Sequence, residues 1–304
     1  MMLSLLSHQQ PFKNKTIVLT GASGGIGLEL SHALAEQGAN IIAIAKSQAK
    51  LSIWANDLKP FGIKTAIIPF DLSKTDQFFS LTCKIIDAVH QFSESSSAHI
   101  DVLINNAGIE IYRAFQDYST DEIEKVIRVN LLAAMELTHQ LMPHLASDAR
   151  IVNMASLASK KSHPYDSVYA ASKAGLLLWG HSLRQELAHT DISVCAICPG
   201  YVSDQGMLAN TGTQAPWLAG RSRAEAVATA TLKATHRRRC ETIINQDPFT
   251  QFLTRLLLAT EQLWPHLTDF SNKWMGITQA NRQRASRTSA SLRPRCSIPR
   301  GGPV

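Results

Sequence analysis

A chain of 304 residues, 45% hydrophobic and 18% charged, can bury a full core and belongs among ordinary soluble globular proteins. Its formal charge of +6 sits at one end: Ala280 to Val304 holds six arginines and no acid, and the rest balances at 24 basic against 24 acidic residues. A positive charge confined to a tail excludes the footprint of a nucleic-acid-binding domain.

In chain order, Met1 to His8 is apolar but too short for a secretory leader and lacks a basic start. Thr16 to Thr20 reads as a β-strand, and Gly25 to Gln37 as a helix that Gly38 ends. Asn40 to Lys46 is a second strand, followed by a helix running towards Lys59-Pro60. Thr65 to Asp71 is a third, Lys74 to Phe92 a helix, and Asp101 to Asn106 a fourth strand. One long helix is expected over Thr120 to Leu145, a strand over Ala149 to Ser156, and a helix over Ser167 to Ala188. Ile192 to Cys198 is a sixth strand and Glu241 to Asn245 a last one. Strands apolar on both faces, alternating with helices, predict an α/β fold: a doubly wound, Rossmann-like parallel sheet flanked by helices. Ligands then bind beyond the carboxyl ends of the strands.

Asp204 to Gly220, rich in Gly, Thr and Ala, reads as a loop or lid. Phe249 to Met275 carries apolar residues at helical spacing, either packed on the domain or a second subunit, or laid on a membrane surface. The division expected is a catalytic domain over 12–246, a helical extension over 247–279 and a basic disordered tail over 280–304. No uncharged apolar run reaches the roughly 18 residues that a bilayer crossing needs, so the expected location is cytoplasmic. Of five cysteines, Cys195 and Cys198 form a CxxC inside the sixth strand, where residues three apart face opposite ways. No metal site is expected there.

After the first strand, Thr20-Gly-Ala-Ser-Gly-Gly-Ile-Gly27 opens directly into a helix. Glycines let backbone approach a pyrophosphate, and the helix N-terminus favours its charge. Gly21, Ser23, Gly24, Gly25, Ile26 and Gly27 are the candidate phosphate cradle. At the end of the second strand an NAD site places an acid for the ribose hydroxyls. Here no Asp or Glu occurs between Glu36 and Asp57, and Lys46-Ser47 sits where a 2′-phosphate would lie. The reading is NADP(H) rather than NAD(H).

Tyr169 and Lys173, four apart at a helix start, share one face. A phenol near pKa ~10 is a poor acid–base at neutral pH, and a nearby ammonium favours its ionised form. Ser156 ends the fifth strand. Asn130 falls inside the long helix, where asparagine is unfavourable without a specific partner.

These residues resemble the short-chain dehydrogenase/reductase family from about Thr16 to Val202. The glycine segment fits its Thr-Gly-x-x-x-Gly-x-Gly pattern, and Asn105-Asn-Ala-Gly108 looks like its simpler, single-domain branch. The resemblance implies an Asn-Ser-Tyr-Lys tetrad in Asn130, Ser156, Tyr169 and Lys173. In it Tyr169 is the general acid or base and Ser156 holds the carbonyl oxygen. Lys173 binds the nicotinamide ribose and lowers the pKa of Tyr169, and Asn130 holds a water behind Lys173. It further implies that Asp71 and Leu72 lie near the adenine, that Asn106, Ala107 and Gly108 line the cofactor, and that Pro199, Gly200 and Val202 touch the nicotinamide end. The implied partner is a small carbonyl or alcohol and the implied assembly a homo-oligomer; the apolar residues of the C-terminal segment favour a lipophilic ketone or aldehyde over a sugar. One departure stands out: Asp204 occupies a position where the family often has threonine. A catalytically idle NADP(H)-binding sensor or scaffold is the alternative reading.

Overall fold

Seven of the apolar runs pair side by side because strands this apolar need a neighbour for their backbone as well as cover for both faces; the central ones are fully buried and one edge strand is half-buried. The computed structural model describes residues 10–93, 98–202, 204, 221–245, 247–264 and 266–292. The first half runs β1 (Thr16–Thr20), α1 (Ile26–Glu36), β2 (Asn40–Ala45), α2 (Gln48–Leu58), β3 (Thr65–Pro69), α3 (Phe78–Phe92) and β4 (Ile100–Asn105). Then come α4 (Thr120–Ile127), α5 (Ala133–Leu141), β5 (Leu145–Met154), α6 (Ser167–Glu186) and β6 (Ser193–Pro199). The short strands β7 (Tyr201–Val202) and β8 (Arg221–Ser222) pair with each other, and α7 (Ala224–His236) leads into β9 (Glu241–Ile244). Three helices close the described chain: α8 (Pro248–Leu263), α9 (His266–Trp274) and α10 (Ile277–Leu292).

The sheet order is β3-β2-β1-β4-β5-β6-β9, parallel throughout. Side chains alternate between two cores, as a two-residue period requires. Ile17 and Leu19 of β1 join Leu30, Trp54 and Val227 on one face, whereas Val18 joins Phe78, Ile85 and Leu137 on the other. Each such fully buried side chain contributes roughly 1.5–3 kcal/mol relative to exposure. Cys195 and Cys198 obey the same alternation and lie in different clusters, each thiol pushed up to about 12 by burial. Among the described residues no group of three metal-binding side chains occurs.

Three expectations are corrected. The long helix over 120–145 is broken: α4 passes through a π-helical turn at Arg128–Leu132 before α5, and a 3-10 turn at Met142–His144 ends it. Pro143 in that turn has no N–H to continue an α-helix. Strand β5 accordingly starts at Leu145, paired with Ile100, instead of at Ala149. The basic tail is not disordered from residue 280: α10 continues to Leu292, with Asn281, Arg284 and Ala285 buried. Nearly all of the expected lid, 205–220, lies outside the described residues.

Candidate active site

Strands β2 and β3 extend from one side of β1 while β4 pairs on its other side, so a crevice opens beyond the carboxyl ends of β1 and β4. Side chains from both strands stitch its floor. Thr20 Oγ1 accepts from the amides of Asn106 and Ala107, both at 3.0 Å, and Asn106 Nδ2 donates to the carbonyl of Thr20 at 2.9 Å. Behind them Asn105 Nδ2 donates to Thr138 Oγ1 at 3.1 Å and Asn153 Oδ1 at 2.9 Å, fixing β4 against β5. Two glycines above this floor, Gly21 and Gly27, are required by conformation or contact. Gly21 has φ 67°, and a Cβ on Gly27 would stand 2.0 Å from the Gly21 carbonyl oxygen. Gly27→Ala is therefore expected to break the loop: dinucleotide affinity by fluorescence titration falls at least about tenfold, with a lowered Tm.

A cavity of about 640 Å³ occupies the crevice. Gly21, Gly24, Gly25, Ile26, Asn106 and Ala107 line one end, and Gly108, beside the Lys173 ammonium, joins Ser156, Tyr169, Lys173, Pro199, Gly200 and Val202 towards the other. Other expected residues lie off its wall. Gly27 packs beneath the loop, and Leu72 is buried beside Asn130 at a second, much smaller cavity. Ser23, Lys46 and Asp71 are also outside the lining. Lys46 Nζ is 2.7 Å from Asp71 Oδ2. Partial burial pushes the Asp71 carboxyl up, but Lys46 and the Ser73 amide and hydroxyl outweigh it, to about 2. Ser47 caps α2, accepting from the Lys50 amide at 3.3 Å, and Lys50 itself lines the cavity. A second cation at the end of β2 was thus missed, hidden within an ordinary helix start.

At the other end Tyr169 and Lys173 stack on α6, with Lys173 Nζ 5.8 Å from the phenol ring centroid. Lys173 Nζ donates to the Met154 carbonyl at 2.7 Å, and burial, opposed by Glu110, lowers its ammonium to about 8. The Tyr169 hydroxyl is raised well above its ordinary value, first by burial and then by Glu110 and Asp166; a hydrogen bond with Ser156 opposes this. Spacing predicts the reverse direction, because it sees Lys173 but neither the burial of the phenol nor the two carboxyls. Ser156 caps a short turn by accepting from Ala158 at 3.1 Å. The π-helical turn explains Asn130: its Oδ1 accepts from the Ile109 amide at 2.8 Å, and its Nδ2 donates to Ile109 O at 2.9 Å and Ser172 Oγ at 3.0 Å. Ser172 in turn donates to the Tyr169 carbonyl at 2.7 Å. Asp204, the departure, accepts from the Ala224 amide at 3.0 Å at the start of α7, a role that a carboxylate suits.

Beside Tyr169 lies a buried polar ring whose carboxyls and arginine belong to no motif. Glu110 lines the cavity, accepts from Tyr112 Oη at 2.9 Å and hydrogen-bonds the buried Asp166. Two carboxyls bond each other when one keeps its proton, and burial raises both. Asp166 Oδ2 is 3.2 Å from His163 Nδ1, and His163 Nε2 is 3.1 Å from Tyr201 Oη. Burial, with Lys161 and Arg284 nearby, lowers His163 to about 3, so its imidazole is neutral. Arg284 of α10 closes the ring, donating to Tyr112 Oη at 3.1 Å and lying over the rings of Tyr112 and Tyr201. The apolar part of the cavity comes from the same C-terminal region, through Leu257, Leu258, Met275 and Ile277.

Residues 15–215 match the short chain dehydrogenase family over most of the parallel sheet. The chain belongs to that family. Among curated relatives of this short-chain dehydrogenase is the ketoacyl reductase HetN of Nostoc sp. strain PCC 7120, 44% identical over 273 residues, or 89% of this chain and 92% of that one. An alignment so long reaches well into the C-terminal helices. D-beta-hydroxybutyrate dehydrogenase of Cupriavidus necator is 31% identical over 62% of this chain and 70% of its own. Among solved structures, a short chain dehydrogenase from Burkholderia cenocepacia in complex with NADP has a TM-score of 0.67 at 23% identity, covering 77% of this chain and 97% of its own. A metagenomic short-chain oxidoreductase, also with NADP, has a TM-score of 0.65 at 25% identity and covers 78% and 99%.

Proposed function

We propose that this short-chain dehydrogenase is an NADP(H)-dependent reductase of a lipophilic ketone, of the 3-oxoacyl class. The observation that carries the reading is the meeting of Ser156, Tyr169 and Lys173 with the glycine loop on one cavity. The glycine cradle fits a dinucleotide, since a side chain at Gly27 would overlap the loop backbone. Lys46 and Lys50 stand near the end of β2, whose own sequence carries no acid; Lys46 pairs with Asp71 from beyond β3, and the two cations outnumber it, which favours a 2′-phosphate. The apolar wall from α8 to Ile277 suits an acyl chain, and a ketoacyl reductase is similar along nearly its whole length.

Bound NADPH would supply the hydride to the carbonyl carbon. Ser156 holds the carbonyl oxygen as negative charge develops on it, and Tyr169 donates a proton to that oxygen. Burial keeps the phenol protonated at neutral pH, which suits reduction. Lys173, anchored on Met154, presents its ammonium beside Tyr169, and Asn130 braces this arrangement through Ser172 and Ile109.

NADPH consumption should be followed with 3-oxoacyl thioesters of increasing chain length, and NADH compared. Turnover rising with chain length supports the reading; dinucleotide binding without turnover of any carbonyl would replace it by the sensor reading. Lys46→Glu is expected to raise KM for NADPH at least about tenfold while leaving KM for NADH within about twofold, because it sets an acid where a 2′-phosphate would lie. Equal effects on both cofactors would remove Lys46 from the site.

A further inference from the structure

Fourteen large apolar side chains stand exposed among the described residues, and eight of them fall between Phe252 and Trp274. On α8, Phe252, Leu256 and Leu263 follow at steps of four and seven and so form one stripe. Thr254, Leu257 and Leu258 turn the other way, onto the catalytic cavity. Helix α9 is built inside out. Its Thr268, Ser271 and Asn272 are buried, with Ser271 bonded to Glu261 and Asn272 Nδ2 donating to the Ser162 carbonyl at 3.1 Å. Its Leu267, Phe270 and Trp274 are 42%, 68% and 68% exposed. A helix facing water has the opposite arrangement, so the medium outside α9 is apolar.

Charge says which medium. Among the described residues beyond Pro248, four Lys and Arg are exposed, Arg255, Lys273, Arg282 and Arg287, against one exposed acid, Asp269, whereas Arg284 and Glu261 are buried. Arg255 and Lys273 are exposed on the two helices themselves. We propose that the outer face of α8 and α9 seats on the surface of an anionic lipid bilayer. Anionic head groups complement this positive charge, whereas a second copy of the same face would repel it. Trp264 and Trp274, both largely exposed, have the apolar body and polar N–H that suit the head-group level. Among the described residues no helix is long and apolar enough to cross a membrane, so the contact lies in the surface plane.

Flotation of the full-length protein tests this with vesicles of phosphatidylcholine alone or with about one third phosphatidylglycerol. The floated fraction is expected to be about tenfold larger with the anionic vesicles and to fall in about 0.5 M salt. Phe270→Ser with Trp274→Ser should abolish flotation and leave thermal unfolding unchanged, since both side chains are exposed. No flotation of the wild type, or flotation of the double variant equal to it, overturns the proposal. So does a dimer in sedimentation that the double variant dissociates, since a second copy then covers the face.

Discussion

Tyr169→Phe is expected to lower kcat for NADPH-dependent reduction by about 10²- to 10⁴-fold, the range that a positioned acid supplies. The Kd for NADPH should stay within about twofold, because the ring remains and the hydroxyl alone is lost. The pH dependence carries more information. With its pKa raised by burial, Glu110 and Asp166, the phenol keeps its proton through the neutral range and beyond. Reduction is therefore expected to hold its rate across neutral pH, and oxidation of the alcohol, which needs the phenolate, to climb as pH rises. Glu110→Gln removes one of the negative neighbours and should move the oxidation limb to lower pH. Stopped-flow rates in both directions check this. A limb unmoved by Glu110→Gln would remove Glu110 as a cause of the shift, and a Phe variant with wild-type kcat would remove Tyr169 as the acid.

The sheet was legible because each strand is short, apolar and bounded by glycine or polar residues, a pattern local to five or ten positions. Parallel pairing of β1 with β2 and β4 follows from two-sided burial. The glycine loop was legible for a similar reason: Thr20 to Gly27 acts through its own backbone. What was hidden depends on distant partners. The π-helical turn exists because Asn130 reaches Ile109 and Ser172, 21 and 42 residues away. The direction of the Tyr169 shift depends first on burial and then on Glu110 and Asp166, which belong to no motif. Composition marked the arginines after residue 280 as a solvated tail, yet Arg284 finds its bond to Tyr112 across 172 residues.

That arginine carries the second large prediction. Arg284 is 1% exposed, bonds Tyr112 Oη and Asn281 Oδ1, and lies 5.0 and 5.3 Å from the ring centres of Tyr112 and Tyr201. Its charge lies near enough to oppose the burial of Glu110 and Asp166. Arg284→Met keeps most of the volume but leaves that carboxyl pair with its burial uncompensated and breaks the bonds at Tyr112 and Asn281. Removing one partner of a buried charged group costs about 3–5 kcal/mol. At about 2–4 °C per kcal/mol for a large domain, Tm should fall by roughly 10 °C. Arg284→Lys keeps the charge but not the planar fork and should fall between the two. Adding Glu110→Gln to Arg284→Met should recover at least about 1 kcal/mol, because the neutral amide no longer needs the cation. Calorimetry of these four proteins and of Glu110→Gln alone decides it. Additive losses would mean that Arg284 holds α10 in place by packing alone, and an unchanged Tm that α10 does not dock on the site.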